Sequence, residues 1–158
     1  MAPTGKKGAA VLFGTAGVAY LLDRLTKAWV EGSLQGRPPI HVIDGVLDLR
    51  FTTNSGGAFS LGQSAPWLFA GATIAVSIAI VITAFRHTSL LTAAALGLVL
   101  GGALGNLTDR LIRAPDLRGR VVDFIDFHVW PVFNAADASI VVGAVLLALT
   151  AFRRRVDG

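Results

Sequence analysis

The sequence predicts an all-α integral membrane protein: four transmembrane helices with a small β-element outside the bilayer, in one membrane domain over residues 1–158. Three observations carry this expectation. Hydrophobic residues make up 53% of the chain and charged residues 15%, with a mean hydropathy of +0.64, whereas a soluble domain carries about 25% charge. The charges gather at the ends of long apolar runs, and at roughly 20 residues per crossing the length accommodates about four spans. The longest polar connection, residues 31–63, holds short alternating runs of β-formers.

The first span is read over residues 8–30. Lys6-Lys7 precedes an uncharged run, Gly8 to Leu22, and apolar character resumes after Asp23 through Leu25, Ala28, Trp29 and Val30. A basic start before an apolar run also fits a cleavable signal peptide, but the resumed run is long enough to span and predicts a retained helix. Its far end reads DRLTK. Asp23 and Lys27 lie four apart with the acid first, the favourable order on one helical face. Two roles stay open for them: a local ion pair at the helix end, or a polar face turned toward a site between helices.

Within residues 31–63, His41-Val-Ile and Val46 to Thr52 alternate around Asp44-Gly45, a hairpin signal. Asn54-Ser-Gly-Gly follows, which on composition is a turn. The second span covers residues 64–85 in the uncharged run Leu61 to Phe85, and Arg86-His87 is a short turn into the third, residues 88–110. Gly97, Gly101 and Gly105 recur every fourth residue there and predict a smooth ridge open to close helix approach. Asn106 and Asp109-Arg110 close that span. The polar connection 111–131 includes RAPDLRGR, Arg113 to Arg120, and leads into VVDFIDFHVWPVFNAAD, Val121 to Asp137. The fourth span, residues 132–152, precedes Arg153 to Arg155.

Alternating spans place both termini on one side of the membrane. The ends of spans one and three, the start of span four and the loops with Asn54 and Asp123 then share the other side. Asp23, Asn54, Asn106, Asp109, Arg110, Asp123 and Asp137 therefore converge on one face. Basic residues number six on the terminal side and eight on the polar side, so charge asymmetry leaves the orientation open. The Lys-Lys start and Arg-Arg-Arg tail favour a cytoplasmic terminal side.

Clustered carboxylates at one face point to acid–base chemistry. Two that share a site cannot both ionise cheaply, so the pair holds one proton and can activate a water between them. Pattern leaves the pair open among Asp23, Asp109, Asp116, Asp123, Asp126 and Asp137. Asp137 is favoured by its place at a span entrance and Asp123 by its apolar setting. Other chemistries find little footing. There is no cysteine, hence no thiol nucleophile or thiolate metal site. His41, His87 and His128 are scattered without a His-Glu-x-x-His helix, and neither a Gly-x-Ser-x-Gly elbow nor a phosphate loop occurs. No metal or cofactor is expected. Basic residues at span ends read as interfacial anchors rather than a nucleic-acid surface, and Trp29, Trp67 and Trp130 as an aromatic belt. A small four-span transporter with Asp137 and Asp23 as an ionisable relay is the alternative, although transporter sites lie near the midplane.

Five motifs in order resemble lipoprotein signal peptidase, also called signal peptidase II: DRLTK at Asp23, NSGGAF at Asn54, GNLTDR at Gly105, VVDF at Val121 and FNAAD at Phe133. The resemblance runs along nearly the whole chain. It implies four helices with an extracytoplasmic β-cradle, in a bacterial cytoplasmic membrane with cytoplasmic termini. It implies an aspartic endopeptidase that cuts diacylglyceryl-modified prolipoproteins just before the lipidated cysteine. The catalytic pair carries over to Asp123 and Asp137, and site-lining or supporting residues to Asp23, Asn54, Gly56, Asn106, Arg110, Asn134 and Ala136. Membrane lipids and the cyclic peptide inhibitor globomycin are implied partners. RAPDLRGR departs from the family as a longer link.

Overall fold

The structure is a computed structural model that describes residues 5–55, 66–86, 89–114 and 118–156. Four helices and three strands follow in the order α1 (Gly5–Leu34), β1 (Ile40–Ile43), β2 (Leu47–Asn54), α2 (Pro66–Thr83), α3 (Leu90–Arg113), β3 (Val121–Asp126) and α4 (Ala135–Val156). Three helical stretches, Gly5–Leu34, Leu90–Arg113 and Ala135–Arg153, are long and apolar enough to cross a membrane, and α2 adds a shorter apolar stretch, Ala70–Thr83. Leu21, Ile82, Val141, Val145 and Phe152 stand exposed on the helices, the outward apolar surface expected where lipid replaces water.

Helix α3 is the centre of the bundle. Leu12 and Ala16 of α1, Ile80 of α2, and Ala93 and Leu100 of α3 form one buried cluster. The glycine ridge does what its spacing predicts. A methyl on Gly97 or Gly101 would strike the α1 backbone at Leu12 or Ala16, and one on Gly105 the Asp23 carboxylate. The opposite face of α3 meets α4, where Gly102 lies against the Ala136 carbonyl.

The three strands form one antiparallel sheet in the order β1-β2-β3. The predicted hairpin is present. Val46 N–H closes the turn onto the Ile43 carbonyl at 2.9 Å, with Gly45 at φ 70°, a region open to glycine without strain. Strand β3 lies inside the stretch expected to be a polar connection. Its residues Val121 to Phe124 are all buried, so no period-2 alternation marks it. Val122 and Phe124 pack on Val30 and Leu34 at the end of α1, which seats the sheet over one end of the bundle.

The segment after β3 then doubles back. His128 sits at φ 61°, spanned by a Val129 N–H to Phe127 carbonyl bond of 2.7 Å. Phe133 pairs with Ile125: its N–H donates to the Ile125 carbonyl at 3.1 Å, and its carbonyl accepts from Phe124 and Ile125 at 3.0 and 2.9 Å. The bridge returns the chain to β3 just before α4 begins. The fourth helix therefore starts at Ala135, later than expected, because the three preceding residues serve the bridge and the cap.

Candidate active site

Asn134 caps α4. Its side-chain oxygen accepts the Asp137 N–H at 2.9 Å, while the Asp137 carboxylate accepts the Asn134 N–H at 3.4 Å. This reciprocal arrangement satisfies otherwise orphaned helix-terminal donors. The cap thus fixes Asp137 in the first turn of α4, where the helix dipole favours a carboxylate. Asn134 also donates through its Nδ2 to Asp123 at 2.7 Å and to the Val122 carbonyl at 3.1 Å. One buried asparagine therefore ties together two aspartates that stand fourteen positions apart in sequence.

Asn106 supports the pair from α3. Its Nδ2 donates to Asp137 Oδ1 at 2.8 Å, and its Oδ1 accepts from Asn134 at 3.2 Å. Asn54, at the end of β2, hydrogen-bonds Asp123. Asn54, Asn106, Arg110, Asp123 and Asp137 all line one cleft of about 310 Å³, walled further by Trp130 and Phe133. Arg110 is buried, with one guanidinium nitrogen donating to the Asn106 carbonyl at 3.2 Å. Its Nε has no hydrogen-bond partner among the described residues.

Burial lifts the Asp123 carboxyl from its ordinary value to about 7, and the neighbouring charge of Asp137 adds to the lift. The hydrogen bonds from Asn134 and Asn54 pull the other way without cancelling it. Near neutral pH Asp123 can thus hold a proton to donate, beside a second carboxyl that could accept one.

Of the residues the sequence singled out, Asn54, Asn106, Arg110, Asp123 and Asp137 meet at the cleft, with Asn134 bridging behind them. Asp23 and Ala136 stand one layer back, where Asp23 Oδ1 accepts the Ala136 N–H at 3.0 Å. Gly56 lies outside the described residues. Two residues whose roles the sequence left open, Lys27 and Asp109, also join this layer. Lys27 is fully buried, 2.8 Å from Asp23 Oδ2, 3.0 Å from Asp109 Oδ2 and 3.0 Å from Asn106 Oδ1. Asp109 pairs with Arg24 as well and accepts the Val122 N–H at 3.1 Å. The open question about DRLTK is thereby answered: Asp23 and Lys27 turn inward between helices, while Leu25 faces out.

His128 engages carboxylates on the sheet. It lies 3.3 Å from Asp48, which also pairs with His41 at 2.8 Å. Asp126 accepts the His128 N–H at 2.8 Å and pairs with Arg50 at 2.7 Å. These contacts pin the turn that carries Trp130 to the cleft wall.

Comparison with known proteins agrees with this geometry. The family model for signal peptidase (SPase) II matches residues 15–153. A lipoprotein signal peptidase of Streptomyces coelicolor is 45% identical over 94% of this chain and 74% of its own length. That of Syntrophomonas wolfei is 43% identical over 87% of this chain and 89% of its own. The Mycobacterium tuberculosis protein is 38% identical over 99% and 83%. A solved bacterial membrane enzyme superposes with a TM-score of 0.76 at 27% identity, covering 90% of this chain and 87% of that one. Two apolar-bedded aspartates, the bundle around them and a match along most of the length lead to one conclusion: the chain belongs to the signal peptidase II family of bacterial membrane proteases.

Proposed function

We propose that the chain is an aspartic endopeptidase that removes the signal peptide of diacylglyceryl-modified prolipoproteins just before the lipidated cysteine, with Asp123 and Asp137 as the dyad. The observation that carries this reading is the pair itself: two carboxylates joined through Asn134 at one cleft, one of them raised to about 7. Its relatives named lipoprotein signal peptidase supply the substrate class.

The dyad would work as follows. Asp137, ionised and held by the Asn106 amide, takes a proton from a water as its oxygen attacks the scissile carbonyl carbon. Asp123, protonated, gives its proton to the carbonyl oxygen, and a tetrahedral diol forms. On collapse the C–N bond breaks, the carbonyl reforms as its proton returns to Asp123, and the leaving amine takes the proton from Asp137. Arg110 offers its unpartnered Nε to a substrate carbonyl beside the scissile bond. The diacylglyceryl tail, lying among the helices and surrounding lipids, holds the bond at the dyad and lowers the entropic part of the barrier.

The reading includes four crossings, cytoplasmic termini and an extracytoplasmic site in the bacterial cytoplasmic membrane. Globomycin, as a substrate-like cyclic peptide, would compete at the same cleft.

The test is cleavage of a diacylglyceryl-modified prolipoprotein by the purified chain in detergent, with and without globomycin. Asp123→Asn and Asp137→Asn are each expected to lower turnover by about 1,000-fold or more while the protein keeps its fold. Turnover that survives in either variant overturns the dyad, and a folded wild-type chain that cleaves nothing overturns the activity.

A further inference from the structure

The proposed reaction uses Asp123 and Asp137 but leaves a fully buried cation, Lys27, without a role. An ammonium carries three N–H donors and no acceptor. At Lys27 three oxygens stand within bonding distance: Asp23 Oδ2 at 2.8 Å, Asp109 Oδ2 at 3.0 Å and Asn106 Oδ1 at 3.0 Å. Asp23 and Asp109 are the two acidic partners, and Arg24, paired with Asp109, supplies the second positive charge that balances them. The third contact is of another kind, because it reaches a neutral amide whose opposite end bonds the dyad. Asn106 Nδ2 donates to Asp137 at 2.8 Å.

A carboxamide can turn over and exchange its oxygen for its –NH2. Turned over here, Asn106 would set its –NH2 against the ammonium and its oxygen against the Asp137 carboxylate, two repulsions in a buried site. The Asn134 Nδ2, 3.2 Å from Asn106 Oδ1, opposes the turn as well, yet it is shared with Asp123 and the Val122 carbonyl.

We propose that Lys27 is a positioning residue for the reaction: its ammonium holds the Asn106 amide in the one orientation that donates to Asp137. The inference rests on the dyad reading above and deepens it. The other charged groups around this core are Arg24 on α1, Asp109 and Arg110 on α3, and Asp123 on β3. Among the described residues, Lys27 is the charged group that donates to Asn106 Oδ1.

The test compares Lys27→Met with Asp23→Asn/Lys27→Met, the second of which strands no Asp23 charge and so protects the fold. Both are also built in an Asn106→Leu background. Two readouts are taken on folded protein: kinetics of prolipoprotein cleavage against pH, and an infrared titration of the protonated carboxyl band, which needs no turnover. Loss of Lys27 is expected to lower kcat by about 100-fold with KM nearly unchanged. The acid limb of the pH profile and the infrared titration should move together to higher pH. In the Asn106→Leu background the same substitutions should lower kcat no further.

Wild-type kcat and titration in either folded Lys27 variant overturn the proposal. So does an equal effect with and without Asn106, the mark of a merely structural lysine. If the wild-type chain cleaves nothing, the proposed activity fails while the infrared titration still decides for or against Lys27.

Discussion

Asp123 serves two opposed ends, since what readies a carboxyl to hold a proton also burdens the fold. Its folded value of about 7 stands above the ordinary 3.8, so the native state binds the proton more tightly than the unfolded chain. Stability from this group is then fullest at low pH and declines as pH rises from near 4 through 7; integrated, the decline is on the order of 4 kcal/mol. Asp123→Asn cannot ionise and keeps a side chain able to bond Asn134 and Asn54. It should melt above wild type at pH 8 and close to it at pH 4, by thermal unfolding in detergent; an Asn variant that melts lower at pH 8 contradicts the buried, proton-holding carboxyl. Turnover should follow the same proton. In the proposed mechanism Asp123 carries it to the scissile carbonyl, so kcat/KM should fall as pH climbs past about 7, and a profile flat to pH 9 would remove Asp123 from the acid role.

At the scale of elements, the site depends on where α4 starts and how closely α1 meets α3. Asn134→Ala removes the oxygen that caps the Asp137 N–H and the amide that bonds Asp123. Loss of the cap should cost about 1 kcal/mol, while turnover should drop by about 100-fold because the dyad is no longer joined. A loss of activity no larger than the loss of folded protein would reduce Asn134 to a cap alone. Gly105→Ala drives a methyl into Asp23 and should destabilise by about 1–3 kcal/mol, which a melting shift measures. Much of this scale was legible in the chain beforehand. Uncharged runs marked the helices, the four-residue glycine spacing marked the ridge, and Asp44-Gly45 marked the hairpin. Strand β3 was hidden because buried residues on both faces erase alternation, and VVDFID then looks like any apolar stretch between polar loops. Lys27 was hidden for a different reason. An i,i+4 pair with Asp23 reads the same on a wet helix end as in a dry core, and its decisive partners, Asn106 and Asp109, are brought by a helix some eighty residues on. The dyad itself stood out only as two among six acids, since nothing in sequence spacing reveals that Phe133 folds back onto Ile125.

The sheet constrains how the whole molecule threads a membrane. β2 follows α1 and pairs with β3, which follows α3, so the ends of α1 and α3 lie on the same side. Between those two ends the chain runs through α2 and α3. α3 is long and apolar enough to cross, so on the proposed four-crossing reading α2 carries the chain back first, through the shorter apolar stretch Ala70–Thr83. A tilted or thinned crossing can accommodate a short segment at modest cost. On that reading the α4 helix leaves from the site side, and both termini would lie on the other. The absence of cysteine makes this directly measurable with single exposed substitutions. Arg37→Cys, beyond α1, should react with a membrane-impermeant maleimide in intact bacteria. Arg86→Cys, between α2 and α3, and Arg153→Cys, at the end of α4, should react only after the membrane is opened. Labelling of Arg86→Cys from outside along with Arg37→Cys would mean that α2 does not cross. The pairing of β2 with β3 would then be incompatible with a membrane-spanning α3, and the dyad's placement beside a lipid-anchored substrate would fall with it.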